Sequence, residues 1–289
     1  MKIRKKLLSL TLLIGMIFIT TGCRMDNMED INIAVTDYPT EFILNRLYGN
    51  HSTITKIFPD GVDITTYQIT ERQKDVFSRK DLFVFNGAIE RDRNLTIELI
   101  DRNNHLNIID AAFVLETDFA PEELWLNPSS MLMMSRNIRL ALEEYITNAY
   151  LINSINEAYE QLKTELSELA ADYRLAIENA TYRTIVVANS ALRFLERFGF
   201  DVICLDVDAS EQDINRVIYL IEAGEINYIF NFRGDTLNPN ALEIYDRFDE
   251  ISVLGIHRLN NLSDEDRENG RDYISIMYEN LNLLKRELH

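Results

Sequence analysis

The sequence predicts an α/β protein of two lobes with mainly parallel sheets, joined by one long rigid helix. Three observations carry this. Short apolar runs suited to buried parallel strands alternate with helical segments from Ile31 to Ile109. The same alternation returns from Thr184 to Leu288. Between the two, Tyr150 to Glu178 contains neither Gly nor Pro, and Leu151, Ile155, Ala158, Leu162, Leu166, Leu169, Tyr173 and Ile177 recur at three- and four-residue steps.

Ahead of the first lobe stands a targeting segment. Lys2, Arg4, Lys5 and Lys6 form a basic head, and Leu7 to Ile19 form an apolar run broken only by Ser9, Thr11 and Gly15. The run is about thirteen residues, within the range of a cleaved signal peptide and short of the ~18 to 20 needed to span a bilayer. Thr20-Thr21-Gly22-Cys23 closes it and resembles the bacterial lipobox, although Thr20 stands where an aliphatic residue is usual. Residues 1–22 are therefore expected to be a lipoprotein signal peptide, with Cys23 lipidated at the mature N-terminus. Residues 23–30 would form a polar tether. Two acyl chains give durable attachment at ~0.8 kcal/mol per buried CH₂, so the expected location is the extracytoplasmic face of the cell membrane.

The N-terminal lobe is expected over residues 31–147. Its strands fall at Ile31 to Val35, Ile54 to Phe58, Leu82 to Phe85 and Leu106 to Ile109, with helices such as Glu41 to Leu47 and Arg72 to Ser78. Pro128 to Ile146 reads as an amphipathic helix. The linking helix is expected within residues 148–180; unbroken, it would run about 40 Å at 1.5 Å per residue. A helical hairpin inside one lobe is the alternative. The C-terminal lobe, residues 181–289, has strands at Thr184 to Ala188, Val202 to Leu205, Tyr228 to Phe232 and Ile251 to Ile256. Its helices fall at Ala191 to Phe198, Glu211 to Ala223, Pro239 to Phe248 and Tyr273 to Leu288.

Charge narrows the partners. The formal net charge is −18. The signal segment holds four basic side chains and no acid, so the remainder sits four units lower, at about −22. Nucleic acid and a polybasic membrane contact both require Lys and Arg against phosphate, and both are disfavoured. With Cys23 committed to lipid, Cys204 is the one cysteine left and no intramolecular disulfide is available. A monomer is expected. No G-x-S-x-G elbow, phosphate-cradling glycine loop, HExxH or CxxC occurs, and the acidic pairs read as solvated helix ends. An enzyme is not expected.

Three stretches resemble the zinc and manganese solute-binding lipoproteins of ABC transporters. Gly61-Val62-Asp63-Ile64-Thr65-Thr66-Tyr67, followed by a helix, Asp81-Leu82 and Asn86-Gly87, is similar to that family's GVDPH-x-Y turn, helix, strand and NG turn. Trp125-Leu126-Asn127-Pro128 is similar to its HxWLDP. Thr184 to Val202 is similar to its strand, HDAF-type turn and strand. The resemblance implies two α/β lobes on one rigid helix, an ABC permease as partner, and a metal held between the lobes. It places the metal ligands at Thr65, Glu123, Ala188 and Asn261, with Asn189 replacing Ala188 on a one-residue slip.

The donor set does not carry over. Zinc and manganese sites need imidazole, thiolate or carboxylate ligands, and of these positions only Glu123 offers one. The four histidines are His51, His105, His257 and His289, and only His257, after the last strand of the second lobe, is a ligand candidate. Arg233 follows a strand of that lobe, where open α/β sheets bind ligands. It would repel a divalent ion but could pair with Glu123 or grip a ligand carboxylate; a solvated surface arginine is the alternative. Arg193 is a second candidate of the same kind. Two readings of the cleft follow: weak metal binding through Glu123 and His257, or a non-metal ligand, which the missing donors favour. A surface interaction protein of the adhesion type, keeping the scaffold without transport, is the alternative from another functional class.

Overall fold

The computed structural model describes residues 28–288, so the expected signal peptide, Cys23 and most of the tether lie outside the described residues. Among those described, no helix is long and apolar enough to cross a membrane.

The first sheet is β2-β1-β3-β4, formed by β1 (Ile31–Val35), β2 (Ser52–Lys56), β3 (Leu82–Phe85) and β4 (Asn107–Asp110), with every pair parallel. The intervening helices are α1 (Tyr38–Tyr48), α2 (Glu71–Phe77) and α3 (Glu90–Arg102). The second sheet repeats the order as β6-β5-β7-β8, again all parallel, from β5 (Thr184–Val187), β6 (Asp201–Cys204), β7 (Tyr228–Phe232) and β8 (Ser252–Ile256). Helices α7 (Glu211–Glu222), α8 (Pro239–Arg247), α9 (Asp264–Glu268) and α10 (Tyr273–Leu288) complete that lobe. Parallel strands need crossover connections, and the sequence supplies them with capped starts. Asp37 accepts from Thr40 N at α1, Thr70 and Gln73 form a capping box at α2, and Asn238 accepts from Ala241 N at α8.

Between the sheets run α4 (Glu123–Leu126), α5 (Pro128–Tyr145) and α6 (Ala149–Glu178). α6 packs along α5, against α1 of the first lobe and against α10 of the second, so it crosses between lobes. Its buried stripe is the one the periodicity marks, including Leu151, Ile155, Leu162, Leu166, Leu169, Tyr173 and Ile177. Arg46 of α1 forks onto Glu165, with Nη1 2.8 Å from Oε2, and the Tyr173 hydroxyl donates to Met277 O at 3.1 Å. One apolar core extends from Ile33 and Trp125 through α6 to Phe230 and Tyr273. Each lobe adds a smaller cluster on the other face of its sheet.

Two elements differ from the sequence reading. β2 begins at Ser52 and ends at Lys56; Ile57 N still bonds Val35 O at 3.0 Å, and the Ile57 and Phe58 side chains fill the cluster that holds Phe83 and Phe85. Ser190–Phe198 winds as 3₁₀ rather than α-helix, with Leu192 N bonding Asn189 O and Gly199 N bonding Glu196 O. Gly199 ends that stretch at φ 99°, a left-handed conformation that favours glycine.

Candidate ligand cleft

The carboxyl ends of β7 and β8 open toward the first lobe, the usual ligand edge of a parallel sheet. The segment after β8 then crosses to the first lobe and is stitched there. Tyr38 N bonds Asn260 O (3.2 Å), Gly61 N bonds Leu262 O (2.8 Å), and Trp125 Nε1 donates to Arg258 O (2.8 Å). The Tyr273 hydroxyl returns a bond to Trp125 O. Arg267 of α9 grips Glu41 with two parallel bonds and lies 2.8 Å from Asp60 Oδ2. On the opposite rim, Arg197 pairs with Asp118 at 2.6 Å and the Arg193 guanidinium stacks 4.0 Å from the Phe119 ring centroid.

Beside these stitches lies a cavity of about 360 Å³ between the lobes. Gly61 and Val62 line it from the first lobe; Arg233, His257, Arg258 and Arg271 are among the residues that line it from the second.

The residues expected at the site fall in different places. Thr65 is exposed and donates to Asp63 Oδ1 at 2.7 Å, and it lines a separate cavity on the first lobe with Tyr67, Lys74 and Arg91. Glu123 is 4% exposed, and its carboxylate accepts from the N–H groups of Phe119 and Ala120, with Asp118 N at 3.4 Å. It sits three residues into a helical turn begun by Ala120-Pro121 and reaches back over that start, half of a capping box. Its oxygens are thus committed to the backbone, and the cross-cleft pair with Arg233 is not formed. Ala188 is buried, its N–H on Phe230 O and its carbonyl on Asn238 Nδ2. Asn189 accepts from Ala191 N as the cap of the 3₁₀ stretch.

Asn261 does reach across the cleft, but as a clamp. Its Nδ2 donates to Pro59 O (2.8 Å) and Val62 O (3.2 Å). His257 has both ring nitrogens occupied: Leu259 N donates to Nδ1 (3.0 Å) and Nε2 faces Asp266 Oδ2 (3.4 Å). The neighbours assign an imidazole protonated on Nε2. Burial pushes its pKa down, Asp266 opposes, and Arg233 and Arg271 push the same way as burial. Asp266 is held at about 2: burial pulls it upward, but the Ser263 hydroxyl and N–H, His257 and Arg271 outweigh that. Among the described residues, no group of three or more His, Cys, Asp or Glu side chains is arranged to hold a metal ion. The residues at the expected positions therefore do not fit a bare zinc or manganese cargo.

The sequence reading missed a buried acidic pair at the first-lobe strand ends. Asp37 caps α1, receives Asn86 Nδ2 at 3.3 Å and is raised to about 6, chiefly by burial and then by Asp92. Asp92, also buried, takes a fork from Arg91 at 2.8 and 2.6 Å. Asp37-Tyr38-Pro39 carries the signal for the cap, but nothing local announces Asp92 as its neighbour. The sign of the pH effect follows. A folded-state pKa above the ordinary carboxylate value means that the folded protein binds the proton more tightly, so Asp37 favours folding most when protonated. That contribution, up to about 3 kcal/mol at 1.36 kcal/mol per unit, is present below pH ~4 and lost as pH rises through about 6. Asp37→Asn keeps a good cap. It is expected to stabilise the protein relative to wild type at pH 7.5, and the advantage should shrink toward pH 4.5 in urea unfolding.

Comparisons with known proteins agree with this architecture. A family described as zinc-uptake complex component A, periplasmic (ZnuA), matches residues 33–287. The manganese-binding lipoprotein MntA of Halalkalibacterium halodurans is 25% identical over 231 residues, 74% of each chain. Among solved structures, the metal-dependent lipoprotein YcdH from Bacillus subtilis superposes with a TM-score of 0.73 at 17% identity, covering 90% of this chain and 99% of that one. The Zn(II)-bound ZnuA-like domain of Streptococcus pneumoniae AdcA gives 0.71 at 18%, covering 90% and 99%. The laminin-binding protein Lbp of Streptococcus pyogenes gives 0.71 at 16%, covering 90% and 100%.

Proposed function

The chain belongs to the periplasmic zinc-uptake component A family, and on that premise we propose that it is a membrane-anchored extracytoplasmic receptor. It would present a solute to an ABC permease and would not be an enzyme. Its cargo is not a bare divalent ion held at the positions the sequence marked. The observation that carries this is the fate of those four side chains: Thr65 bonds Asp63, Glu123 caps its own turn, Ala188 offers no donor, and Asn261 ties Pro59 and Val62. A closed zinc site needs four ligands, or three and a water. Weak metal binding through Glu123 and His257 is disfavoured for the same reason, since both carry protein hydrogen bonds on their ligating atoms.

Two measurements on the detergent-solubilised full-length protein test the proposal. Elemental analysis and calorimetric titration with zinc and manganese should give well under one equivalent and no saturable heat. Cross-linking in native membranes should capture a multi-span permease, whose ATP hydrolysis the protein should stimulate. Stoichiometric metal would overturn the cargo reading. Failure to engage any permease would overturn the receptor reading and leave an adhesion role, which the fold shared with a laminin-binding protein makes a concrete second reading.

A further inference from the structure

We propose that the interlobe cavity takes a small oxyanion, a carboxylate or a phosphate, with Arg233 as the residue that grips it. The inference rests on the receptor reading and names the chemistry of its ligand. The cavity of about 360 Å³ has room for a small organic skeleton. Its charged lining comprises Arg233, Arg258 and Arg271 against Glu265 and Asp266. With Asp235 and Glu279 paired to Arg258 and Arg271, the surroundings as a whole are not net positive, and the attraction for an anion is local to Arg233.

Two of the guanidiniums are already occupied. Arg271 pairs with Asp266 and Glu279, and Arg258 pairs with Asp235 while lying 4.3 Å from the Phe232 ring centroid. Arg233 has no acidic partner among the described residues. Its backbone is nonetheless fixed, since its N–H bonds Ile256 O at 2.9 Å. Gly255 makes that approach possible: a Cβ there would stand 3.3 Å from Arg233 Cα. A further donor is unmet nearby, because Arg258 Nε is buried without a hydrogen-bond partner. Leu259 holds φ 60°, a strained conformation for a branched side chain, in the turn that sets Arg258 and Asn260 at the cavity wall. A divalent cation would meet the Arg233 guanidinium and an imidazole with no free lone pair. Asp266 is already committed to Ser263 and Arg271, which leaves Glu265 as the lining carboxylate, too few donors for a metal site. An oxyanion would find an exposed guanidinium with no acidic partner among the described residues, whose fork matches two of its oxygens.

The test is calorimetric titration of the full-length protein in detergent at low ionic strength with citrate, inorganic phosphate and zinc chloride as separate probes. Saturable binding of citrate, weakened by added salt, is expected, and Arg233→Ala should weaken it about 10- to 100-fold. Arg233→Lys should recover only part of the loss, because an ammonium lacks the fork. Arg247→Ala, far from the cavity on α8, should change nothing. Arg233→Ala should also melt as wild type does, since the side chain is exposed. Binding of phosphate in place of citrate, equally dependent on Arg233, supports the proposal and identifies the source of the oxyanion. Zinc binding with neither oxyanion overturns the proposal while the receptor reading stands. Absence of all three ligands, together with no captured permease, overturns both. Oxyanion binding that Arg233→Ala leaves unchanged removes Arg233 and sinks the proposal.

Discussion

Arg267→Ala is expected to destabilise the protein by about 2–3 kcal/mol, because charge-assisted bonds to two largely buried acids are lost, although the Arg267 side chain is itself 30% exposed. Arg267 belongs to α9 of the second lobe, and both its acidic partners belong to the first. Its two terminal nitrogens lie 3.0 and 2.7 Å from the oxygens of Glu41, and Nε lies 2.8 Å from Asp60 Oδ2. The Glu41 and Asp60 side chains are 9% and 13% exposed, so truncation would strand Glu41 without a counter-charge and leave Asp60 with Lys56 alone. Arg267→Lys should restore less than half of the loss, because a point charge cannot meet a carboxylate and a second acid in one plane. The pH dependence has a definite sign. Burial pulls Asp60 upward, but bonds from Lys56 and Arg267 hold it below the ordinary carboxylate range. Its contribution is therefore present above pH ~4 and lost as pH falls further, and the variant should show less of that acid sensitivity. Urea unfolding at pH 7 and pH 3.5 would decide both points. A variant within ~0.5 kcal/mol of wild type would mean that the clamp is a solvated surface pair.

The contrast between that clamp and the sheets shows what a sequence makes legible. The central strands β1, β3, β5 and β7 announce themselves because they are largely buried and read as short apolar runs. The edge strands, such as β2 and β8, are part-exposed and carry a weaker signal, and the linking helix shows because its stripe repeats without Gly or Pro. All of these are local signals. Glu41 and Arg267 are 226 residues apart, and each looks like an ordinary solvated charge in its own helix; their meeting is fixed only when the lobes pack. The 3₁₀ winding of Ser190–Phe198 was hidden for a related reason, since its apolar spacing suits either helix.

The candidate site was only partly legible: Thr65, Glu123, Ala188 and Asn189 lie outside the interlobe cavity, whereas Arg233, His257 and Asn261 line it. The second-lobe strand ends do form one wall of that cavity. What each side chain does there depends on a neighbour chosen locally. Leu259 N occupies the His257 ring, and Pro59 O takes the Asn261 amide. Arg258 drew no notice in the sequence, yet it supplies the carbonyl that binds Trp125 and a second guanidinium at the cavity.

Glu123 separates a structural acid from a ligand most sharply. Glu123→Ala is expected to cost about 1–2 kcal/mol, the range for losing a helix cap, because it strips the acceptor from two backbone N–H groups in a turn where Phe119 is exposed to water. The damage should spread to the lobe contact. The turn carries Trp125, whose ring nitrogen and carbonyl both bond the second lobe, at Arg258 O and the Tyr273 hydroxyl. Glu123→Gln keeps one acceptor oxygen and should lose about half as much. Neither substitution touches the cavity lining, so oxyanion affinity measured on the folded fraction should stay within about twofold. A ligand role predicts the reverse, with unchanged urea unfolding and lost binding. That outcome would show the carboxylate leaving its cap to meet the cargo.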